Sequence, residues 1–433
     1  MKSEIRKSLS MTKLKLTPIF ILCLLAAQSV KGQFGITGEV RPRTELYGGN
    51  NSRLRNDGEK VGIATQQRTR LYFDYASEDG LKLVFSPQVV HFWGQMPQAY
   101  DLLGDGAPGA PEGTFSVFEA YAQYKFSDVY TLKAGRQAIS YGDQRWFGAL
   151  GWAASGRAHD AFVNKFSFNE ISLDVGVAWN NTKHSQGIDS LAITNIRGGY
   201  RGLQYLWLTI PAGDLKIQGM ATNVTSVSSL NSVDADHTNT VTFGLLPSYS
   251  KGDVAINLSY YLQSNTSRNA SLFAADLTYK GLGLPITIGA DIVSGDDVNT
   301  SDSETWLQPF GTNHKFYGLM DFFYVGETPS FGLNDFYLKS VIKTGEKSKL
   351  IGFVHYFTTN QDFVAASDGS MVNGSLGTEV DLIYDHTITK GVNLKLGFST
   401  IFADELFEEF KAGSSDEFNT WGWLQLTFKP KLL

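Results

Sequence analysis

A single cysteine, Cys23, stands in the 433 residues, and it falls inside an apolar N-terminal run, so the rest of the chain has neither disulfides nor thiolate chemistry. Long hydrophobic runs are also missing. Beyond residues 16–27 nothing approaches the roughly 20 apolar residues that a helix needs to cross a bilayer, which excludes helical membrane spans. The seven histidines are scattered, with no HExxH pair and no Cys/His cluster, so a metal centre has no support and none is expected. There is no GxSxG elbow, phosphate-binding loop or dinucleotide fingerprint, and no cofactor is expected. Positive charge is scarce as well: 37 Lys and Arg against 43 Asp and Glu leave −6 at pH 7, a sign that disfavours nucleic acid as a partner.

What the chain does have is glycine, 44 residues, and aromatic side chains, 13%. Its N-terminus carries Lys2, Arg6, Lys7, Lys13 and Lys15, then the apolar stretch Leu16 to Ala27, then small or neutral residues up to Gly32. That is the layout of a secretory signal peptide, and it sets the expected organisation: a cleaved leader over 1–32 and one domain over 33–433. Ile21 and Leu22 before Cys23 do not fit a lipid-attachment site. Without the leader's six basic residues and Glu4 the formal charge becomes −11.

From Phe34 onward the sequence alternates with period two, as expected of strands whose two faces meet different surroundings. Phe34–Glu45 sets Glu39, Arg41, Arg43 and Glu45 on one side, and Thr65–Ser77 sets Arg68, Arg70, Tyr72 and Asp74 against Leu71, Phe73 and Tyr75. Glu119, Tyr121, Gln123 and Lys125 likewise oppose Phe118, Ala120, Ala122 and Tyr124. A sandwich hides its apolar faces between sheets, whereas an outer-membrane barrel turns them to lipid and lines its lumen with the polar ones. Connection lengths decide for the barrel. Short links near 78–79, 127–129, 169–170, 212–213, 251–252, 281–284, 345–347 and 389–390 alternate with long ones, 265–269 being the short exception. The expected fold is therefore all-β: a transmembrane antiparallel β-barrel of about 18 strands with short periplasmic turns and long extracellular loops. The last strand, Thr420–Lys429, closes on the first.

A barrel of that size encloses an aqueous lumen. Keeping the alternation leaves 295–332 as one long loop containing FGTNHKFYGLMDFFY, too apolar to stand in solvent. It either folds inward as a constriction, with His314, Lys315, Tyr317 and Asp321 as its candidate residues, or caps the mouth; a strand hairpin over His314–Tyr324 with shifted parity elsewhere stays open. A second unusual stretch, Gly135–Ala161, holds Arg136, Arg145 and Arg157 among glycines and tryptophans and reads as a strand end, a loop and a strand start.

These segments carry a resemblance. RPRTEL (Arg41–Leu46), QRTRLYFDY (Gln67–Tyr75), FEAYAQYKF (Phe118–Phe126), GRQAISYGDQRWFG (Gly135–Gly148), GRAHDA (Gly156–Ala161), GTNHKFYGLMDFFY (Gly311–Tyr324), GTEVDLIYD (Gly377–Asp385) and the terminal WLQLTFKP resemble the alginate-export family of outer-membrane β-barrels in its Bacteroidetes-type form. The resemblance implies an 18-stranded channel whose arginine-bearing lumen passes an anionic poly- or oligosaccharide, alginate-like, across outer-membrane lipid, with a periplasmic export partner as a further expectation. On its motifs, Arg68, Arg70, Arg136, Arg145 and Arg157 become substrate-pathway candidates, beside Arg41 and Arg43 on the same polar face. Guanidinium stays charged and pairs bidentately with carboxylates, which suits a staggered ladder of weak sites.

The same face also carries Asp74, Glu119, Asp174, Asp253, Asp276, Asp291, Glu379, Asp381 and Asp385, so the pore is not uniformly cationic; interior ion pairing competes with a transport role for Arg41, Arg43, Arg68 and Arg70, and holding the loop against the wall is an equal reading of Arg136, Arg145 and Arg157. Trp146, Trp152, Trp207 and Trp421 read as belt or packing residues, and the acidic run Asp296, Asp297, Asn299, Asp302, Glu304 as a solvated loop. Ser155, His159 and Asp160 are the one catalytic-looking group, but neighbours on a strand point to opposite faces, so no enzyme is expected. A channel is the leading function; a plugged barrel serving binding or adhesion is the alternative.

Overall fold

The computed structural model describes residues 32–94, 113–180, 200–227 and 237–433. The expected leader lies outside them except for Gly32, which begins the first strand. The strands run β1 Gly32–Gly48, β2 Gly62–Ser77, β3 Leu81–Phe92, β4 Thr114–Lys125, β5 Tyr130–Gln137, β6 His159–Phe168 and β7 Ile171–Trp179. They continue with β8 Gly202–Ala212, β9 Leu215–Val227, β10 His237–Lys251, β11 Val254–Asn265, β12 Arg268–Tyr279, β13 Ile286–Val293, β14 Leu333–Gly345 and β15 Ser348–Thr358. A loop hairpin of two-residue arms, β16 Phe363–Val364 and β17 Met371–Val372, precedes β18 Ser375–Thr389, β19 Val392–Ala403 and β20 Asn419–Phe428.

Apart from β16 and β17, these strands form one antiparallel sheet of 18, in which β1 pairs with both β2 and β20. The sheet is thereby closed and exposes no edge, the condition for strands to cross a bilayer. β1 begins and β20 ends at the rim of short turns, where the C-terminal tail continues the seam: Gly38 N–H donates to Pro430 O (3.1 Å) and Leu432 N–H to Ile36 O (2.7 Å). The expected strand boundaries extend slightly, β1 by two residues at its start and three at its end. Residues 314–324 contain no strand, only a 3-10 turn at Asn313–Lys315, so the long loop stands as a loop.

Polarity is inverted relative to a water-soluble core. Phe243, Leu245, Ile288, Leu338, Phe398 and Leu424 point outward and are exposed, whereas Glu39, Arg41, Arg68, Arg70, Asp291, Glu379 and Asp381 point inward and are buried. An outer surface of this kind is stable only against hydrocarbon, which places the barrel in a bacterial outer membrane, with the short turns on the periplasmic side. One parity expectation fails. A bulge between Ser86 and Pro87 shifts the β3 and β4 register, so Phe118 turns inward with Glu119, and the Arg70 guanidinium lies 3.6 Å over its ring. Asp253, expected on a strand face, sits in the turn before β11.

Candidate functional site

An 18-stranded wall alone would leave a wide lumen; two loops fill its outer half. The first, 138–158, joins β5 to β6, and the second, 294–332, joins β13 to β14. They touch through two backbone bonds and one side chain: Gly148 N–H donates to Phe310 O (2.8 Å), Thr312 N–H to Gln144 O (2.9 Å), and Arg157 Nη1 to Gly311 O (2.8 Å). A Cβ on Gly148 would overlap Thr312, lying 2.6 Å from its backbone nitrogen, so only glycine permits the crossing. Five of the seven described non-glycine residues in the left-handed region lie in these loops, at Gln144, Leu150, Tyr317, Asp321 and Tyr324. Such conformations cost about 1–3 kcal/mol each and persist only where packing over-determines them. That packing is aromatic. Trp146, Phe147, Trp306, Phe310, Tyr317, Phe322 and Phe323 are fully buried, Phe147 stacks on Phe310 at 5.9 Å, and Phe407 and Phe410 of the 404–418 loop close on Phe323.

The arginines of β1 and β2 hold the first loop to the wall. Arg41 and Arg68 are direct cross-strand partners, a like-charge pairing that needs acceptors nearby. The loop's peptide carbonyls supply them. Arg41 donates to Gly151 O (2.7 Å) and Trp152 O (3.0 Å), Arg43 to Trp152 O (2.7 Å), Arg68 to Ala154 O (3.3 Å), and Arg70 to Ser155 O (3.2 Å). Arg68 also pairs with Glu39 and Arg43 with Glu45, while Arg70 takes Gln88 Oε1 (2.9 Å from Nε). Trp152 is clamped between the Arg43 guanidinium at 3.7 Å and the His314 ring at 4.3 Å.

Arg145 fastens the second loop. Its Nη2 pairs with Asp291 (2.7 Å), its Nη1 donates to Tyr317 Oη (3.2 Å), and it covers the Phe316 ring at 3.8 Å. Burial opposes its charge, but Asp291, Tyr317 and Asp143 more than offset that and hold the guanidinium above its ordinary value. Arg157 has no such carboxylate, and burial pushes it down to about 10. The four residues expected at the constriction divide into two groups, His314 with Asp321 beside Trp152, and Lys315 and Tyr317 beside Asp143 and Arg145. His314 Nδ1 and Asp321 Oδ1 lie 2.7 Å apart, Tyr317 takes Arg145, and Lys315 Nζ donates to Asp143 O (2.8 Å), with burial lowering its ammonium below the usual lysine range.

On the turn side of Phe316 and Tyr317 lies a cavity of about 440 Å³, lined by these loop residues and by Lys216, Asp276, Asp335, Tyr337, Lys339 and His355 from the wall. Asp291 and Asp335 face each other in register on β13 and β14, and His355 Nδ1 lies 2.8 Å from Asp335. Beyond them Glu379 Oε1 accepts Met320 N–H (2.9 Å), tying the second loop to β18 beside the equally buried Asp381.

Of the expected pathway residues, Arg41, Arg43, Arg68, Arg70, Arg145 and Arg157 all reach the lumen, each engaged with a loop. Arg136 does not. It pairs in register with Ala120 and Asp160 on the lipid-facing parity, and its Nη1 lies 3.1 Å from Asp160. His159 points inward to Tyr200 Oη (2.9 Å), so His159 and Asp160 do occupy opposite faces. Trp146, Trp207 and Trp421 are buried packing residues inside the barrel, not belt residues. Lys216, Lys339 and Asp143 were not singled out by the sequence, although strand parity alone marks the two lysines as inward.

No protein-family model matches the chain, and no curated protein matches it. Solved structures do share its fold. Pseudomonas aeruginosa OpdQ superposes with a TM-score of 0.62 at 9% identity, over 93% of this chain and 98% of its own. OpdO of the same organism gives 0.60 at 11% identity with the same coverage, and OccK8 (OprE) 0.59 at 12%, over 93% and 99%. At such identities the likeness shows the 18-stranded barrel and nothing finer.

Proposed function

We propose that this chain is an outer-membrane channel for diffusion of hydrophilic solutes, narrowed by the loops 138–158 and 294–332. The observation that carries the reading is a cavity lined by charged and polar side chains beneath a constriction whose strands, arginines and glycines are all arranged to hold two loops inside the lumen rather than outside it. The finer reading is passage of an anionic poly- or oligosaccharide, alginate-like, in either direction along its gradient or with a periplasmic partner. It draws on the motif resemblance and on the density of inward cations.

A second reading, a plugged barrel for binding or adhesion, draws on the aromatic packing between the loops. Planar-bilayer conductance separates the two. A channel conducts as it stands, a plugged barrel conducts only after 295–332 is deleted, and a protein silent in both forms is no pore. Arg68→Glu with Arg70→Glu is expected to move the reversal potential in a salt gradient towards cation preference, through charge and through release of the loop.

A further inference from the structure

The short connections at the periplasmic rim are sorted by charge. On one half, the five turns from β2–β3 to β10–β11 hold Glu78, Asp79, Asp128, Glu170, Asp214 and Asp253 and no cation. On the other, the turns β12–β13, β14–β15 and β18–β19 hold Lys280, Lys347 and Lys390 against one acid, Glu346. These turns follow one another around the closed sheet, so each sign fills one unbroken arc. Beyond β20 the basic run continues in Lys429 and Lys431, but these belong to the lumen side: Lys429 lies 3.7 Å from Glu39, and Lys431 pairs with Thr37 on the inward parity. Lys125 and Lys251, at the ends of β4 and β10, pair with Asp128 (2.6 Å) and Asp214 (3.0 Å). Among the described residues, Glu78, Asp79, Glu170 and Asp253 have no cation within ion-pair distance, and Lys280, Lys347 and Lys390 have no carboxylate.

Both arcs stand at the edge of the hydrocarbon. Leu282 shares its turn with Lys280 and is 66% exposed, the exposed Ile388 stands just before Lys390, and the exposed Phe126 and Val129 flank Asp128. A turn that exposes an apolar side chain beside a charged one is divided at the membrane surface, the first among acyl chains and the second among headgroups. Adjacent turns lie two strands apart, about 10 Å, so the three ammonium groups form a row along the leaflet. We propose that this basic arc, through Lys280, Lys347 and Lys390, binds the headgroup phosphates of anionic glycerophospholipids in the periplasmic leaflet, while the acidic arc excludes them. The barrel thereby carries a lipid shell of two compositions. Ammonium groups without carboxylate partners call for an anion, and at this level of the membrane the anion at hand is a phosphodiester. A second copy of the chain fits less well. The arcs lie on nearly opposite sides of the barrel, so pairing acidic to basic between copies builds open rows and no closed ring. The inference rests on the barrel's place in the membrane alone and holds whether or not the lumen conducts.

The test reconstitutes the full-length protein in phosphatidylethanolamine vesicles and compares spin-labelled phosphatidylglycerol with spin-labelled phosphatidylethanolamine, read as the fraction of each held motionally restricted at the barrel. Phosphatidylglycerol is expected to be enriched several-fold in the restricted fraction at low salt, and less at high salt. Lys280→Gln with Lys347→Gln and Lys390→Gln is expected to abolish that preference, and replacement of the same three lysines by arginine to keep it. Glu78→Gln with Glu170→Gln, on the opposite arc, is expected to leave the preference intact or raise it. Equal restriction of the two lipids in the wild type, or an unchanged preference in the triple glutamine variant, overturns the proposal. Sedimentation of the same samples covers the other occupant: a lipid preference that is absent, together with an assembly that falls apart in the triple glutamine variant, assigns the basic arc to a second copy and overturns the lipid reading.

Discussion

Arg145→Met is the substitution that puts most at stake. The wild-type side chain is fully enclosed, bonded to Asp291 at 2.7 Å and Tyr317 at 3.2 Å and lying 3.8 Å over Phe316. Methionine matches its stem but leaves Asp291, 1% exposed, as a buried carboxylate without its cation. Removing one partner of a buried pair costs about 3–5 kcal/mol, most of it from the charge left behind. The cheapest relief is for the loops to leave the wall and let water reach Asp291, because the 18-strand ladder does not depend on this contact. A cost of about 3 kcal/mol shifts the ratio of docked to undocked loops by more than a hundredfold. Single-channel recordings should therefore show larger and noisier conductance, and limited proteolysis should cut within 138–158 at protease levels that leave the wild type intact. Pairing the change with Asp291→Leu removes both charges, and the double variant is expected to regain most of the wild-type protection. If the single and double variants are equally protected, or equally cut, the ion pair does not hold the loops and the reasoning fails.

Other substitutions address other contacts. Gly148→Ala drives a methyl group into Thr312 and is expected to separate the two loops, seen as new proteolytic sites in both; cleavage confined to one would refute the crossing. Arg68→Gln with Arg70→Gln takes donors from Ala154 and Ser155 and the cation from Glu39, and should free the 149–156 segment with the barrel intact, measured by hydrogen exchange. Glu379→Gln keeps the acceptor for Met320 N–H in a side chain of the same shape, so heat-unfolding should show equal or greater stability, whereas Glu379→Ala should cost about 1–3 kcal/mol. For Asp296, burial raises the carboxyl, but hydrogen bonds from Ser303, Thr305 and Glu304 outweigh it and hold the group below its ordinary range. Its support of the 294–305 loop is thus complete above about pH 4 and lost as pH falls through the lower folded value. Pepsin cleavage there should rise on acidification in the wild type and be pH-independent in Asp296→Asn.

The barrel was legible because its signals are local and repeated. Period-two alternation fixes each strand's faces, and the rhythm of short and long links fixes the strand count. The bulge at Ser86 was not legible, since a one-residue register shift leaves no mark on composition, and with it Phe118 was assigned to the wrong face. Arg136 misled for another reason. The motif around Gly135 carries three arginines close in sequence, but β5 assigns faces by parity, and counting from Tyr121, in register with Gly135, would have put Arg136 outside. The ion pairs of Arg68 with Glu39 and of Arg43 with Glu45 were within reach of strand parity, but the loop contacts of these arginines were not, because those partners are backbone carbonyls about 110 residues away in Arg41's case, and carbonyls have no sequence.

That last point also explains why a ladder of arginines and a bare loop belong together. A segment such as GALGWAASGR satisfies few of its own peptide groups, two by turn bonds from Gly156 and Arg157 N–H, since 148–158 forms no helix and pairs with no strand. Inside a membrane barrel each unsatisfied carbonyl is costly, and water in a narrowed lumen is limited. Guanidinium presents up to five donors in a rigid plane, so Arg41, Arg43, Arg68 and Arg70 can donate to consecutive carbonyls from Gly151 to Ser155, the loop accepting with backbone alone. Lysine, with its mobile point charge, could not fix the segment in one geometry. The use of arginine here follows from chemistry, because a backbone must be held still. Exchanging the types tests this directly. Arg41→Lys with Arg68→Lys preserves charge and should still loosen the loop, giving the larger conductance expected of Arg145→Met; wild-type conductance in that variant would mean that charge alone, and not the fork of donors, holds the constriction.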